Sequence, residues 1–241
     1  MSTPVSLLKP ILLLDLTSLN DDDTSETLHR LCRRALTPYG PVAAVCVMPG
    51  LVSEAARLLA NSAVRIASVA NFPSGAADVE TAKKQTMQLI RDGAQEVDVV
   101  FPWRNFLDAD YDVCEELISG CKARCGNTHT LKVILETGEL QDDHQIYRAS
   151  RLAIDAGADF IKTSTGKTPH GATPAAARAM LTAIRDAGAM CGLKVSGGVR
   201  TLEQAQAYIS LAENLMGEDW VSPANFRIGA SSLLDDLLER F

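Results

Sequence analysis

Lys162 interrupts the stretch Asp159-Phe160-Ile161-Lys162-Thr163-Ser164, and Lys194 interrupts Cys191-Gly192-Leu193-Lys194-Val195. Both stretches otherwise read as buried strands. A charged amine in such a strand is expensive unless it is paired or neutralised. Each lysine also runs into a glycine-bearing loop, Thr165-Gly166-Lys167 after the first and Ser196-Gly197-Gly198 after the second. Two buried amines beside two anion-accepting loops point to Schiff-base chemistry on a phosphorylated substrate. The plainer alternative is a pair of strand-end lysines whose heads reach solvent. It accounts for either lysine alone better than for both with their loops.

An amine attacks a carbonyl only when neutral. An unperturbed lysine, with a pKa near 10.4, is neutral in about one molecule in 2,500 at pH 7. Lowering that pKa by ~3 units removes a penalty of about 4 kcal/mol. Burial and a neighbouring cation both act in that direction. Lys162 and Lys194 on adjacent strands can perturb each other in this way, and either could be the nucleophile. Lys132 is expected to stand apart, at the start of its strand and far from the end marked by Glu136. Lys167 lies beyond its strand and suits a phosphate. Asp98 and Asp15 each interrupt an apolar strand and could hold a water or a lysine in place; alternatively, each caps a loop at a strand end. The four histidines (29, 129, 144, 170) form no H-x-x-x-H spacing, so neither a catalytic metal nor another cofactor is expected.

An internal repeat indicates how these residues are positioned. Arg91-Asp92-Gly93-Ala94 leads to Asp98, Asp155-Ala156-Gly157-Ala158 leads to Lys162, and Asp186-Ala187-Gly188-Ala189 leads to Lys194 with one extra residue. In each copy the glycine suits a left-handed helix C-terminus before a short apolar strand. Equal depth on parallel strands would bring the three polar side chains to one end of a sheet. The same reading gives strands near 11–16, 42–47, 64–70, 95–101, 130–136, 159–163, 191–195 and 225–229. Helical patterns fall near 24–36, 52–60, 76–92, 109–125, 141–156, 173–187, 201–214 and 231–239. Asp23 with Glu26 resembles a capping box, and Thr173-Pro174 an N-cap followed by proline.

Eight strand–helix units of about 30 residues predict a closed (β/α)8 barrel, an α/β fold of one domain over 1–241. No G-x-G-x-x-G follows the first strand, which argues against a dinucleotide fold. In a barrel the site lies at the C-terminal strand ends, with phosphate after strands seven and eight. Here those loops are Ser196-Gly197-Gly198-Val199 and Gly229-Ala230-Ser231-Ser232, the second opening the last helix.

The chain has 241 residues, 46% apolar and 22% charged, with a net charge of −7. No basic block interleaved with aromatics is present, so nucleic acid is not an expected partner. The apolar run Ile11–Leu14 is too short for a secretory core, and no run reaches membrane-spanning length. The six cysteines (32, 46, 114, 121, 125, 191) contain no C-x-x-C and read as free thiols of a cytoplasmic protein.

At these residues the chain resembles the deoxyribose-phosphate aldolases, class I enzymes. The resemblance rests on Leu14-Asp15-Leu16-Thr17, Ala44-Val45-Cys46, Glu96 through Pro102, Leu131 through Glu139, Phe160 through Gly166, Lys194 through Arg200, and Gly229-Ala230-Ser231-Ser232. It implies that Lys162 forms the Schiff base, that Lys194 lowers its pKa and assists proton transfer, and that Asp98 is an acid/base acting through water. It further implies a phosphate site of Gly166, Lys167, Gly197, Gly198, Ser231 and Ser232. Asp15, Thr17 and Thr165 complete the expected substrate surface, and Cys46 is a nearby thiol with no required role. Two departures stand out. Some members end in a tyrosine-bearing tail that assists proton transfer, whereas this sequence stops at Phe241, so that contribution is expected to be absent or replaced. Val195-Ser196 stands where some members carry proline or alanine.

The resulting expectation is cleavage of 2-deoxyribose 5-phosphate to glyceraldehyde 3-phosphate and acetaldehyde, by a homo-oligomer, most simply a dimer. One rival is a Schiff-base aldolase with another donor or acceptor, distinguished by its products. Another is a phosphosugar-binding protein without turnover, against which the joint presence of Lys162, Lys194 and Asp98 argues.

Overall fold

The computed structural model describes residues 5–140 and 142–240. Eight parallel strands close into a barrel: β1 (Leu14–Thr17), β2 (Ala44–Val47), β3 (Arg65–Ala70), β4 (Glu96–Val100), β5 (Thr130–Ile134), β6 (Phe160–Lys162), β7 (Gly192–Ser196) and β8 (Phe226–Ala230). Each strand pairs with the next in chain order, and β8 returns to β1 through Leu14 with Ile228 and Asp15 with Gly229. The helices are α1 (Val5–Leu12), α2 (Ser25–Arg34), α3 (Val52–Leu58), α4 (Val79–Arg91), α5 (Trp103–Leu107), α6 (Tyr111–Cys125), α7 (Asp143–Asp155), α8 (Pro174–Ala187), α9 (Leu202–Met216) and α10 (Leu233–Leu238). The expected (β/α)8 barrel is therefore the fold observed.

Side chains alternate across each strand, so one set faces the helices and the other the barrel axis. Leu14, Leu16, Val97, Val99, Leu131, Val133, Ile161, Leu193, Val195 and Ile228 belong to the large apolar layer shared with the helices. Ala44, Cys46, Ala67 and Val69 form a separate small cluster with Leu19. The alternate positions of β1 and β4–β8 instead carry charge: Asp15, Glu96, Asp98, Lys132, Lys162, Lys194 and Arg227, all buried.

The repeated glycines end their helices as expected, Gly93, Gly157 and Gly188 having φ of 104°, 100° and 61°. Thr173 caps α8 through the Ala176 amide, with Pro174 at the first helical position. The expected Asp23–Glu26 capping box is not formed. Thr24 caps α2 and pairs reciprocally with Thr27, because the Asp23 carboxylate is taken by Ser18 Oγ at 2.7 Å and the Asn20 amide at 3.0 Å. Residues 11–12 end α1 rather than begin β1. The helical pattern near 109–125 is preceded by the separate helix α5, with Ala109 at φ 61° between α5 and α6. Met1–Pro4, the helix start expected at Gln141, and Phe241 lie outside the described residues. No described helix is long and apolar enough to cross a membrane.

Candidate active site

The inward-facing charges form a closed circuit. Arg227 Nη1 donates to Asp15 Oδ1 at 2.7 Å, and Asp15 Oδ2 lies 2.6 Å from Lys194 Nζ. Lys194 Nζ donates to Asp98 Oδ2 at 2.8 Å, and Lys132 Nζ donates to Asp98 Oδ1 at 2.8 Å. Lys132 Nζ is 2.6 Å from Glu96 Oε2, and Arg227 Nη2 closes the ring on Glu96 Oε1 at 3.0 Å. Lys162 joins from outside the ring, donating to Asp98 Oδ2 at 3.0 Å. Neither Lys162 nor Lys194 reaches bulk solvent; they are 2% and 0% exposed. Gly229 makes room for this packing, because a Cβ there would stand 2.9 Å from Lys194 Cε.

The surroundings drive the amines apart. For Lys162, burial is the largest influence and disfavours the ammonium; Asp98 opposes this, and the Lys194 cation reinforces it, leaving the amine below the ordinary lysine range. For Lys194, burial acts the same way, but Asp15 and Asp98 outweigh it and hold the ammonium well above that range. Lys132 is raised too: Asp98 and Glu96 overcome its burial. Burial pushes the Asp98 and Asp15 carboxyls up, yet their cationic partners bring both far below the usual carboxylate range. Burial raises the Cys46 thiol.

Lys162 opens into a cavity of about 280 Å³, which Thr17, Thr165, Gly166, Lys167, Ser196, Gly197, Gly198, Ser231 and Ser232 also line. Gly197 and Gly198 both have φ of 92°, a conformation that turns the chain sharply and that L side chains rarely adopt. The helix after Ser231-Ser232 has only six residues, so the anion-accepting character of this wall rests on loop N–H groups and side chains rather than on a long helix dipole. Ser196, the departure noted in the sequence, donates its Oγ to the Ser164 carbonyl at 2.6 Å and joins the loops after β6 and β7.

The structure places the expected residues in two tiers. Lys162 and the loop residues face the cavity, whereas Asp15, Cys46, Asp98 and Lys194 are buried and do not line it. Asp98 contacts both expected catalytic lysines directly. Lys132 corrects the sequence reading: its amine meets Asp98 at 2.8 Å, because a long side chain on the neighbouring strand at the same register reaches inward. Glu96 and Arg227 were not singled out; the signal was a charge at alternate positions of an apolar strand. Among the cavity residues, Ser18, Asn20 and Arg200 were also missed. Glu136 has a second hidden role. It sits at φ 56° with its buried carboxylate accepting from Thr165 Oγ1 at 2.6 Å and Thr168 Oγ1 at 3.1 Å, which holds the turn carrying Gly166-Lys167. A non-glycine residue in that region costs of order 1–3 kcal/mol, a strain that marks functional loops.

Comparison with known proteins agrees with the fold and identifies the family. Residues 9–239 match the model of the DeoC/LacD family aldolases. The solved structure of a tetrameric deoxyribose phosphate aldolase from Aeropyrum pernix shares 27% identity over 98% of this chain and 92% of its own, with a TM-score of 0.78. A candidate deoxyribose-phosphate aldolase from Coccidioides immitis shares 27% identity over 97% of this chain and 86% of its own, with a TM-score of 0.86. A third, from Toxoplasma gondii, is 26% identical over 97% of this chain and 94% of its own, with a TM-score of 0.89.

Proposed function

The chain belongs to the DeoC/LacD family of aldolases, and from that premise we propose that it cleaves 2-deoxyribose 5-phosphate through a Schiff base on Lys162. One observation carries this reading. Of the four cations in the buried network, Lys162 is the one that lines the cavity and the one whose surroundings favour the neutral amine. The same cavity carries glycine loops and Lys167, which suit a phosphate.

In this mechanism the Lys162 amine adds to the C1 aldehyde of the open-chain sugar, and the carbinolamine loses water to give a protonated imine. The imine draws electrons from the C2–C3 bond. That bond breaks as the C3 hydroxyl passes its proton through a water to the Asp98 carboxylate, and glyceraldehyde 3-phosphate leaves. The remaining enamine takes that proton back by the same route at C2, and water releases acetaldehyde from the amine. Asp98, held ionised, keeps the Lys162 and Lys194 amines on one oxygen, so that Lys194 can supply and recover protons at the carbinolamine. Lys167, Gly166, Gly197, Gly198, Ser231 and Ser232 bind the phosphate, with Thr17 and Thr165 beside the sugar. Asp15 acts from below through Lys194 rather than by touching substrate. Residues 1–241 act as one domain, and a homo-oligomer, most simply a dimer, is the expected assembly.

Acetaldehyde with borohydride should add an ethyl group to Lys162, identified by peptide mapping. Modification at Lys194 or Lys167 instead would overturn the assignment. Product analysis with acetaldehyde against dihydroxyacetone phosphate as donor separates this reading from an aldolase of other specificity.

Lys167 supplies a separate test. Lys167→Ala should raise KM for the phosphorylated sugar by ten-fold or more, since a hydrogen bond to a charged group contributes about 1.5–3 kcal/mol. Unphosphorylated deoxyribose never makes the contact and should be cleaved nearly as before. Equal losses in kcat/KM on both substrates would move Lys167 from phosphate binding into the chemistry.

A further inference from the structure

The ring beneath the cavity is electrically balanced by itself. Arg227, Lys194 and Lys132 alternate with Asp15, Asp98 and Glu96, giving three cations and three carboxylates. Lys162 is therefore a fourth cation on a neutral ring, sharing an Asp98 oxygen that Lys194 already occupies. Three other groups lie near it. Arg65 on β3 also pairs with Glu96, through a buried Nε at 2.7 Å, but its side chain is 39% exposed overall and it is the same in every variant below. Glu136 is buried after β5, and its carboxylate is bound by Thr165 and Thr168. Cys46 on β2 is a buried neutral thiol.

We propose that Arg227 and Glu96 are positioning residues that fix the net charge of this ring at zero and so make Lys162 the amine that gives up its proton. Neither lines the cavity. Arg227 reaches Asp98 by two arms, through Asp15 and Lys194 and through Glu96 and Lys132, so it anchors both carboxylate oxygens that the amines share. Arginine suits this position because it stays charged when buried and presents a fixed fork to two carboxylates. Its remaining Nε donates to the Pro223 carbonyl, and the guanidinium lies 5.8 Å from the Phe160 ring centroid. This inference rests on Lys162 being the nucleophile of the proposed reaction.

The charge count makes predictions of opposite sign. Arg227→Met leaves the ring with a net negative charge, which favours the Lys162 ammonium. Glu96→Gln leaves it net positive, which disfavours the ammonium. Arg227→Met with Glu96→Gln restores neutrality. A unit charge at this depth shifts an amine titration by about one pH unit. The measurement is competitive acetylation of the Lys162 amine by acetic anhydride across pH, followed by peptide mapping, alongside the pH profile of kcat/KM. We expect the midpoint to rise in Arg227→Met, fall in Glu96→Gln, and return to the wild-type value in the double variant and in Arg227→Lys. Acetylation requires no aldolase turnover. A failure of the Schiff-base reading therefore shows in the trapping experiment, while the titration still reports on the ring. Should Arg227→Met not fold, the fall in Glu96→Gln and its absence in Arg227→Lys decide the matter. Shifts of the same sign in both single variants, or a fixed midpoint in Glu96→Gln, overturn the proposal.

Discussion

Lys162→Arg is expected to reduce turnover to background, a loss of roughly 10⁴-fold or more, because a guanidinium is not deprotonated near neutral pH and offers no nucleophile. The substitution places a permanent cation opposite Asp98, which Lys162 meets at 3.0 Å, so the ion pair is kept while the chemistry is removed. Circular dichroism and thermal melting should therefore show a folded barrel. Residual cleavage above about one per cent of wild type, measured by coupled release of glyceraldehyde 3-phosphate, would mean that another amine carries the Schiff base. The structure narrows where that amine could be: Lys194 and Lys132 are buried without lining the cavity, and carboxylates hold both protonated.

Lys194→Leu is expected to lower kcat by roughly 10²–10³-fold on both phosphorylated and unphosphorylated sugar, the scale of losing a positioned proton-transfer group. Its pH profile is the sharper readout. Two effects follow from the deletion and share a sign. The cation that disfavours a second ammonium is gone, and Asp98 Oδ2, now shared between Lys194 at 2.8 Å and Lys162 at 3.0 Å, is left to Lys162 alone. Both favour protonated Lys162. Since the neutral amine is the reactive form, the limb on which kcat/KM rises with pH should move to higher pH by about one unit. An unchanged limb would remove Lys194 from the activation of Lys162 and leave burial as the dominant cause. The variant also leaves Asp15 with Arg227 as its close partner, so some loss of stability should accompany the kinetic change.

Lys162, Lys194, Asp98 and the loops that follow their strands could be found in the sequence because their signals are local. A strand alternates with period two, a helix ends at a glycine, and a charge inside an apolar strand stands out against both patterns. The eight strand–helix units could be counted for the same reason. Boundaries failed where a tertiary contact competed with a local preference, as at Asp23, whose carboxylate serves Ser18 and Asn20 while Thr24 caps the helix.

What the tertiary structure alone decided is which charges meet. Asp98 aligns with Lys132 and Lys132 with Phe160, so Lys162 sits two residues further along its strand than Asp98's own register. The stagger lets one carboxylate be reached by Lys132 from its own level and by Lys162 and Lys194 from the next. Closure of β8 on β1 then places Asp15 beside Arg227 and Lys194, residues more than 170 positions away in sequence. Strand register and barrel closure arise from hydrogen bonding between distant segments, which no short window of sequence contains. The proposed choice of Lys162 as nucleophile rests on that closure, because the proton balance among buried amines depends on every charge in the same low-dielectric interior.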